Sequence, residues 1–260
     1  MNVKRTQQLK AIDRLLTIMD ELREGCPWDK KQTFESLRHL TIEETYELSE
    51  ALLENDPEEI KNELGDVLLH IIFYAKIGSE KEVFDIGDIA HAISEKLIQR
   101  HPHVYGDVRV SGEEEVKKNW EKLKLKEGNQ SVLSGVPKSL PSLVMASRMQ
   151  DKASGIGFDW DNINGVREKI NEELQELEHE VAHGDKDKIT AELGDVFFSL
   201  VNYARFLGVN PDDALASTNK RFRSRFEAME KQALAKKITL STLSSQQWEL
   251  LWQSAKKQVG

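Results

Sequence analysis

Two sets of five acids recur along this chain at identical spacing. The first is Glu43, Glu44, Glu47, Glu63 and Asp66; the second is Glu172, Glu173, Glu176, Glu192 and Asp195. Helical residues three or four apart share a face. Glu44 therefore projects with Glu47 and Glu63 with Asp66, and likewise Glu173 with Glu176 and Glu192 with Asp195. Four carboxylates aimed at one point repel each other and raise each other's pKa unless a cation neutralises them. An all-oxygen donor set suits a hard ion, Mg²⁺ or its substitute Mn²⁺, better than zinc. Such an ion bridges protein carboxylates to substrate phosphates and activates bound water. The acids thus point to phosphoryl chemistry on a polyphosphate. A Glu-rich helical face is more often only a solvated surface, and the return of all five acids in register argues against that reading here.

Cations separate the two sets. Lys169 stands four residues before Glu173, and Lys188 four before Glu192; the aligned residues of the first set are Leu40 and Glu59. Further on, Arg221 and Arg225 share a helical face, against Leu97 and His101 in the first half. These four cations suit phosphate oxygens that a metal leaves uncovered, although a basic run is as often an ordinary charged helix. Catalysis is therefore expected mainly in the second half. The first half is then a weak site, a regulatory nucleotide site or a dimerisation module. Trp252 suits stacking on a base or packing in the core equally well. His101 and His103 suit a helix end better than a metal, and His70 reads as a packed core or boundary residue. Trp28, Trp120 and Trp160 read as core or interface, and Cys26 as a small buried residue.

The elements that must hold these groups are helical. Residues 40–75 align without gaps to 169–204, with 13 of 36 positions identical. Ile60, Leu64, Val67, Leu68 and Ile71 recur at the three- and four-residue spacing of one helix face, and Ile189, Leu193, Val196 and Leu200 repeat it. Fifteen residues separate the third and fourth Glu in both sets, enough for one helix to end and a second to return. Asp56 reads as an N-cap with Pro57 in the first turn and Glu59 completing a capping box. Gly184 ends the corresponding helix and Asp185 opens the next. Gly65 and Gly194, mid-helix, suggest close approach of a neighbouring backbone, since an interior Gly costs roughly 1 kcal/mol. Polar residues 126–131 mark a linker. The expected architecture is all-α, two tandem repeated helical-bundle domains at 1–127 and 128–260, the second carrying the main site. A lone acid-bearing hairpin cannot bury both its faces, so a homodimer is expected to close the bundle.

Composition excludes several classes. With net charge −9 and no long basic tract, direct nucleic-acid binding is not expected, because that rests on phosphate neutralisation by Lys and Arg. A single cysteine, Cys26, rules out an intrachain disulfide or a Cys-rich metal centre. Residues 1–10 are polar, so no membrane anchor is expected, and the expected compartment is the cytoplasm. Neither a Walker A loop nor Gly-x-Gly-x-x-Gly occurs.

Further landmarks are Gly25-Cys26-Pro27-Trp28-Asp29, His101-Pro102-His103-Val104-Tyr105-Gly106, Gly135-Val136-Pro137, Leu140-Pro141, Gly157-Phe158-Asp159-Trp160 and the Trp252 tail. With the two acid sets, in this order, the chain resembles the MazG family of bacterial nucleoside triphosphate pyrophosphohydrolases over nearly its whole length. The acid pattern alone is similar to the wider all-α NTP pyrophosphatase superfamily, which includes dimeric dUTPases. The resemblance implies Mg²⁺-dependent cleavage of NTPs and dNTPs to monophosphate and pyrophosphate by dimers. It also implies house-cleaning of the nucleotide pool and a link to stringent-response control. It would assign Glu173, Glu176, Glu192 and Asp195 to the metal, with Glu172 near the attacking water. Lys169, Lys188, Arg221, Arg225 and Trp252 would contact the nucleotide, and Glu44, Glu47, Glu63 and Asp66 form a second-rank metal set. Arg221 stands where the family is expected to carry Lys, which keeps the charge and changes the donor geometry. One rival reading is a di-iron carboxylate protein, resting on Glu176-x-x-His179 and Glu180-x-x-His183. The other is a non-catalytic helical nucleotide sensor or adaptor.

Overall fold

The computed structural model describes residues 3–112, 115–116, 119–120 and 131–259. Every regular element among them is helical. Contacts divide the chain into two compact units, Met1–Val110 and Ser111–Gly260. The linker residues 126–130, with the expected boundary near 128, lie outside the described residues.

The first unit contains α1 (Val3–Gly25), α2 (Phe34–Glu54), α3 (Pro57–Glu80), α4 (Ile86–Arg100) and the short α5 (Pro102–Tyr105). The acid-bearing pair α2 and α3 forms a hairpin, and α1 and α4 pack on α3. Met19, Leu37, Ile72, Phe73 and Ile77 make its core. Arg23 ties the end of α1 to α3, donating from Nε to Glu80 Oε1 at 2.9 Å and from its terminal nitrogens to Glu80 and the Gln32 carbonyl. That pairing holds Glu80 below the usual carboxylate range, against a smaller opposing effect of burial.

The second unit contains α6 (Ser142–Gly155), α7 (Ile163–His183), α8 (Lys186–Phe206), α9 (Pro211–Ala235) and α10 (Ser245–Val259). Here α7 and α8 form the acid hairpin, α6 packs on α8 and α9, and α9 pairs with α10. Ala228, Met229, Leu251 and Ala255 form the core of that last pair, with Trp248 and Trp252 packed against it.

Both hairpins turn by the same local device. A left-handed residue ends the first helix, Asn55 at φ 56° and Gly184 at φ 78°. An Asp then caps the second. Asp56 accepts from the Glu58 and Glu59 amides at 3.0 and 3.4 Å, and Asp185 from the Asp187 and Lys188 amides at 3.1 and 3.3 Å. Gly suits the left-handed position because it has no Cβ, and Asn tolerates it better than most residues. The cap at Asp56 is one-sided: Glu59 contributes its amide, and the reciprocal side-chain bond of a capping box forms instead at Thr33 with Ser36 and at Asp85 with Asp88. The mid-helix glycines also differ from expectation. A Cβ built on Gly65 or Gly194 meets nothing within 4 Å, so close backbone approach within the described residues does not explain either one.

Candidate active site

The α7–α8 hairpin brings three acids of the second set together. Glu173 and Glu176 project from one face of α7 and Glu192 from α8, and one carboxylate oxygen from each lies within 4.8 Å of the others. Glu173 is buried, 6% exposed. Burial of a bare carboxylate is costly unless it is paired, and its partner is Lys169. Lys169 Nζ lies 2.8 Å from Glu173 Oε1 and 2.9 Å from Glu172 Oε1. The hydrogen bonds to Glu173 and then Glu172 raise the Lys169 pKa, fixing its charge. Glu176 titrates above the ordinary carboxylate value, first because it is desolvated, then because Glu173 and Glu192 repel its charge. Asp195 stands outside the triad. It lines a cavity of about 280 Å³ together with Lys169, Glu173, Trp160 and Asn202.

Three hard oxygen donors held this close, one of them buried and one with a raised pKa, fit a divalent cation of the Mg²⁺ class. No His enters either acid group. His179 is exposed and meets Glu180 at 3.1 Å, while His183 Nδ1 meets the His179 carbonyl at 2.7 Å. The spacing that suggested a di-iron ligand set therefore leads away from the acids.

The other cations fall into two groups. Lys188 Nζ lies 3.8 Å from Glu180 Oε2 and is mostly exposed. Arg221 donates to Ser217 and Thr218 of its own helix, both at 2.8 Å. The Arg225 guanidinium lies 5.9 Å from the Trp252 ring centroid, with Lys256 at 5.8 Å. Trp252 is half-buried and packs on Phe222, ring centroids 5.5 Å apart. Lys169 alone of the four expected cations is bonded directly to the acid triad in the contacts described.

The first unit repeats the cluster without the lysine. Glu44, Glu63 and Asp66 place one oxygen each within 4.8 Å, and Glu47 is the acid left outside. Desolvation, then the charges of Glu47 and Asp66, raises the pKa of both Glu44 and Glu63. Glu63 Oε2 is buried and takes no hydrogen bond. Beneath these acids lies a polar network: Thr41 Oγ1 bonds His70 Nδ1 at 2.8 Å and the Tyr74 hydroxyl at 2.7 Å. Burial keeps His70 below its ordinary pKa, with Asp66 opposing. His70 is thus a packed core residue, as its position on α3 implied.

Several features escaped the sequence. Trp160 and Trp28 are 45% and 55% exposed, which leaves interface and not core of the two readings, and Cys26 is half-buried. Trp160 is also held in place. A Cβ on Gly165 would come within 2.8 Å of its ring, so glycine there lets the indole lie on the first turn of α7. Asp159 beside it bonds Arg205, Ser154 and the Trp160 amide. Burial pushes the Asp159 pKa up, but these bonds outweigh it and the net shift is downward. His101 closes the end of α4, its Nδ1 2.6 Å from the Leu97 carbonyl, as expected of a helix end.

Comparison with known proteins agrees with this arrangement. Residues 32–105 and 162–229 match the MazG nucleotide pyrophosphohydrolase domain, so both acid hairpins fall inside matched segments. A nucleoside triphosphate pyrophosphohydrolase of Escherichia coli strain K12 is 39% identical over 259 residues, covering 96% of this chain and 98% of that protein. The nucleoside triphosphate pyrophosphohydrolase/pyrophosphatase MazG of Thermotoga maritima is 42% identical, covering 94% and 95%. The uncharacterized protein YabN of Bacillus subtilis is 44% identical over 93% of this chain, which spans 50% of YabN. With the family domain matched over both acid hairpins and relatives aligned nearly end to end, the chain belongs to the MazG nucleotide pyrophosphohydrolase family.

Proposed function

We propose that the chain hydrolyses nucleoside and deoxynucleoside triphosphates to the monophosphate and pyrophosphate, with its main site on the α7–α8 hairpin. The observation that carries this reading is the Glu173, Glu176 and Glu192 triad with Lys169 bonded into it. These acids, with Asp195 at the adjoining cavity, would hold Mg²⁺ or Mn²⁺. The bound ion would lower the pKa of a coordinated water and offset charge on the phosphates. Glu172 sits beside the triad on the same lysine, where it would orient the attacking water and take its proton. Water oxygen bonds to phosphorus, a phosphoanhydride P–O bond breaks, and the electron pair leaves on the departing phosphate group.

Lys169 has two tasks in this scheme. Without substrate it neutralises Glu173. With metal and nucleotide bound its ammonium would turn towards the phosphates, where charge grows as the bond breaks. Lys188, Arg221, Arg225 and Trp252 complete the nucleotide contacts in this reading. Both hairpins leave apolar side chains exposed: Tyr46, Leu52 and Leu64 in the first unit, Val181, Phe197 and Leu200 in the second, all above 40%. That surface favours assembly with a second copy, whose helices would close each bundle. No helix among the described residues is long and apolar enough to cross a membrane. Clearing aberrant nucleotides from the pool is the role this activity fits.

The test is product analysis. ATP and dNTPs incubated with the protein and Mg²⁺ are expected to yield monophosphate and pyrophosphate, and EDTA to stop the reaction. Diphosphate with orthophosphate as first products, or full turnover in EDTA, refutes the reading.

A further inference from the structure

The end of α7 carries two histidines that the acid site does not use. His179 and His183 stand four residues apart, so their side chains share a face of the helix. Both are exposed, and their ring centroids lie 4.2 Å apart. Glu50 and Glu54 occupy the aligned positions of the first hairpin, so the pair belongs to the second unit alone. Neither ring enters an acid group.

Two hydrogen bonds fix which nitrogen of each ring carries the proton. His183 Nδ1 lies 2.7 Å from the His179 carbonyl oxygen. A carbonyl only accepts, so that nitrogen is the donor. His179 Nδ1 lies 3.1 Å from Glu180 Oε1, and an ionised carboxylate likewise only accepts. Each neutral ring therefore keeps its lone pair on Nε2, and neither Nε2 takes a hydrogen bond among the described residues. A backbone carbonyl or a carboxylate behind the other ring nitrogen is what orients histidines that bind metal. One of each is already in place here.

We propose that His179 and His183 chelate one transition-metal ion of the Zn²⁺, Ni²⁺ or Cu²⁺ class, at a site separate from the acid triad. Imidazole nitrogens suit these ions, whereas an all-carboxylate set suits Mg²⁺. An ion bonding two imidazoles at about 2.0–2.1 Å each needs nitrogens about 3–4 Å apart, a spacing that rings this close reach by rotating. Two exposed rings leave the rest of the coordination shell to water. The ion's charge lies at the C-terminal end of α7, where the last carbonyls favour a cation. It ties the final turn of α7 to the turn before it, next to the Gly184–Asp185 reversal of the hairpin. Loading the site therefore stiffens the end of the helix that carries Glu173 and Glu176.

The experiment compares wild type with His179→Ala, His183→Ala and Glu180→Gln. His101→Ala serves as the control, since His101 and His103 are another close pair. Excess Mg²⁺ is present throughout to compete at the acid clusters. In calorimetric titration with Zn²⁺, wild type should take up one ion more than either His179→Ala or His183→Ala. Glu180→Gln should keep the site with affinity about tenfold weaker, the usual order for losing a partner behind a metal-bound histidine. Zn²⁺ should also raise the melting temperature of wild type, because the folded helix presents both rings together and the unfolded chain does not. That shift should vanish in both histidine variants, whose metal-free melting temperatures should match wild type because both side chains are exposed. Electron paramagnetic resonance of the Cu²⁺-loaded protein should show coupling to two imidazole nitrogens, and to fewer in either variant. Equal Zn²⁺ uptake by wild type and both histidine variants overturns the chelate. So does a site lost in His101→Ala and kept in His179→Ala, or a Cu²⁺ spectrum that neither histidine variant changes.

Discussion

The two acid hairpins share a backbone and differ in what balances their charge. Each has a left-handed residue, an Asp cap and three carboxylates within 4.8 Å. In the second unit Lys169 bonds the buried acid, and the cluster borders an open cavity. In the first unit Leu40 stands at the lysine position, and Glu63 keeps a buried oxygen without a hydrogen bond. Its α2–α3 interface is filled by the Thr41–His70–Tyr74 network. At the aligned positions the second unit has Ile170, Ser199 and Tyr203. The cavity between α1, α3 and the start of α4, about 280 Å³, has none of Glu44, Glu63 or Asp66 on its walls. The same acids thus stand in two different settings, and a compensating cation and an adjoining cavity distinguish the second from the first.

The sharpest way to break this comparison is a matched pair of double variants. Glu173→Ala with Glu176→Ala is expected to reduce kcat for ATP by about 10³-fold or more, because both phosphate binding and water activation depend on the triad. Glu44→Ala with Glu47→Ala should leave most of the activity. Equal losses, measured by pyrophosphate release, would mean that both hairpins work, and the reverse order would place the site in the first unit.

Exchanging the cation should give the next largest effect. Lys169→Leu is expected to lower kcat/KM by about 10²-fold, the usual order for losing one preorganised donor to developing charge. It should also lower the melting temperature of the metal-free protein, because buried Glu173 loses its partner. Leu40→Lys in the first unit should change activity less than about twofold, and a large gain would show a site there that lacked only its lysine.

Acid should weaken the two arginine clamps. Glu80 and Asp159 both titrate below their ordinary values of 4.5 and 3.8. A folded-state pKa below the unfolded one contributes stability that is fully present above the unfolded value and is lost as pH falls through the folded one. The melting-temperature gap between wild type and Asp159→Asn, and likewise Glu80→Gln, should therefore be widest near neutrality. It should begin to narrow around the ordinary carboxylate value and close below it. A gap that is flat with pH would mean that these acids contribute shape and not charge.

The smallest expected change is at Gly65 and Gly194. An added Cβ meets open space, so alanine at either position should raise stability by about 0.5–1 kcal/mol from helix propensity. A fall in melting temperature on Gly→Ala would show that another chain closes on these helices once the protein assembles.

Much of this protein is determined by local sequence. Helix caps, left-handed turn residues and 3.6-residue periodicity act over a few neighbours, so Asn55-Asp56-Pro57 and Gly184-Asp185 mark both hairpins without knowledge of the rest. The repeat then placed all ten acids on those hairpins and singled out the half that carries Lys169. Other features wait on packing. Which three of four carboxylates converge depends on how far each side chain reaches across the helix pair, and the answer differs between units, Glu47 being left out of one and Asp195 of the other. Lys188 shares a helical face with Glu192, yet it lies beside Glu180 across the hairpin turn. Gln150 and Trp160 gave no periodic signal as neighbours of one cavity. Their chamber exists because α6 packs on α8 and because Gly165 lets an indole lie on α7. Periodicity records which side of a helix is apolar, whereas a cavity is the volume that several helices fail to fill between them, and only their tertiary arrangement decides where that volume lies.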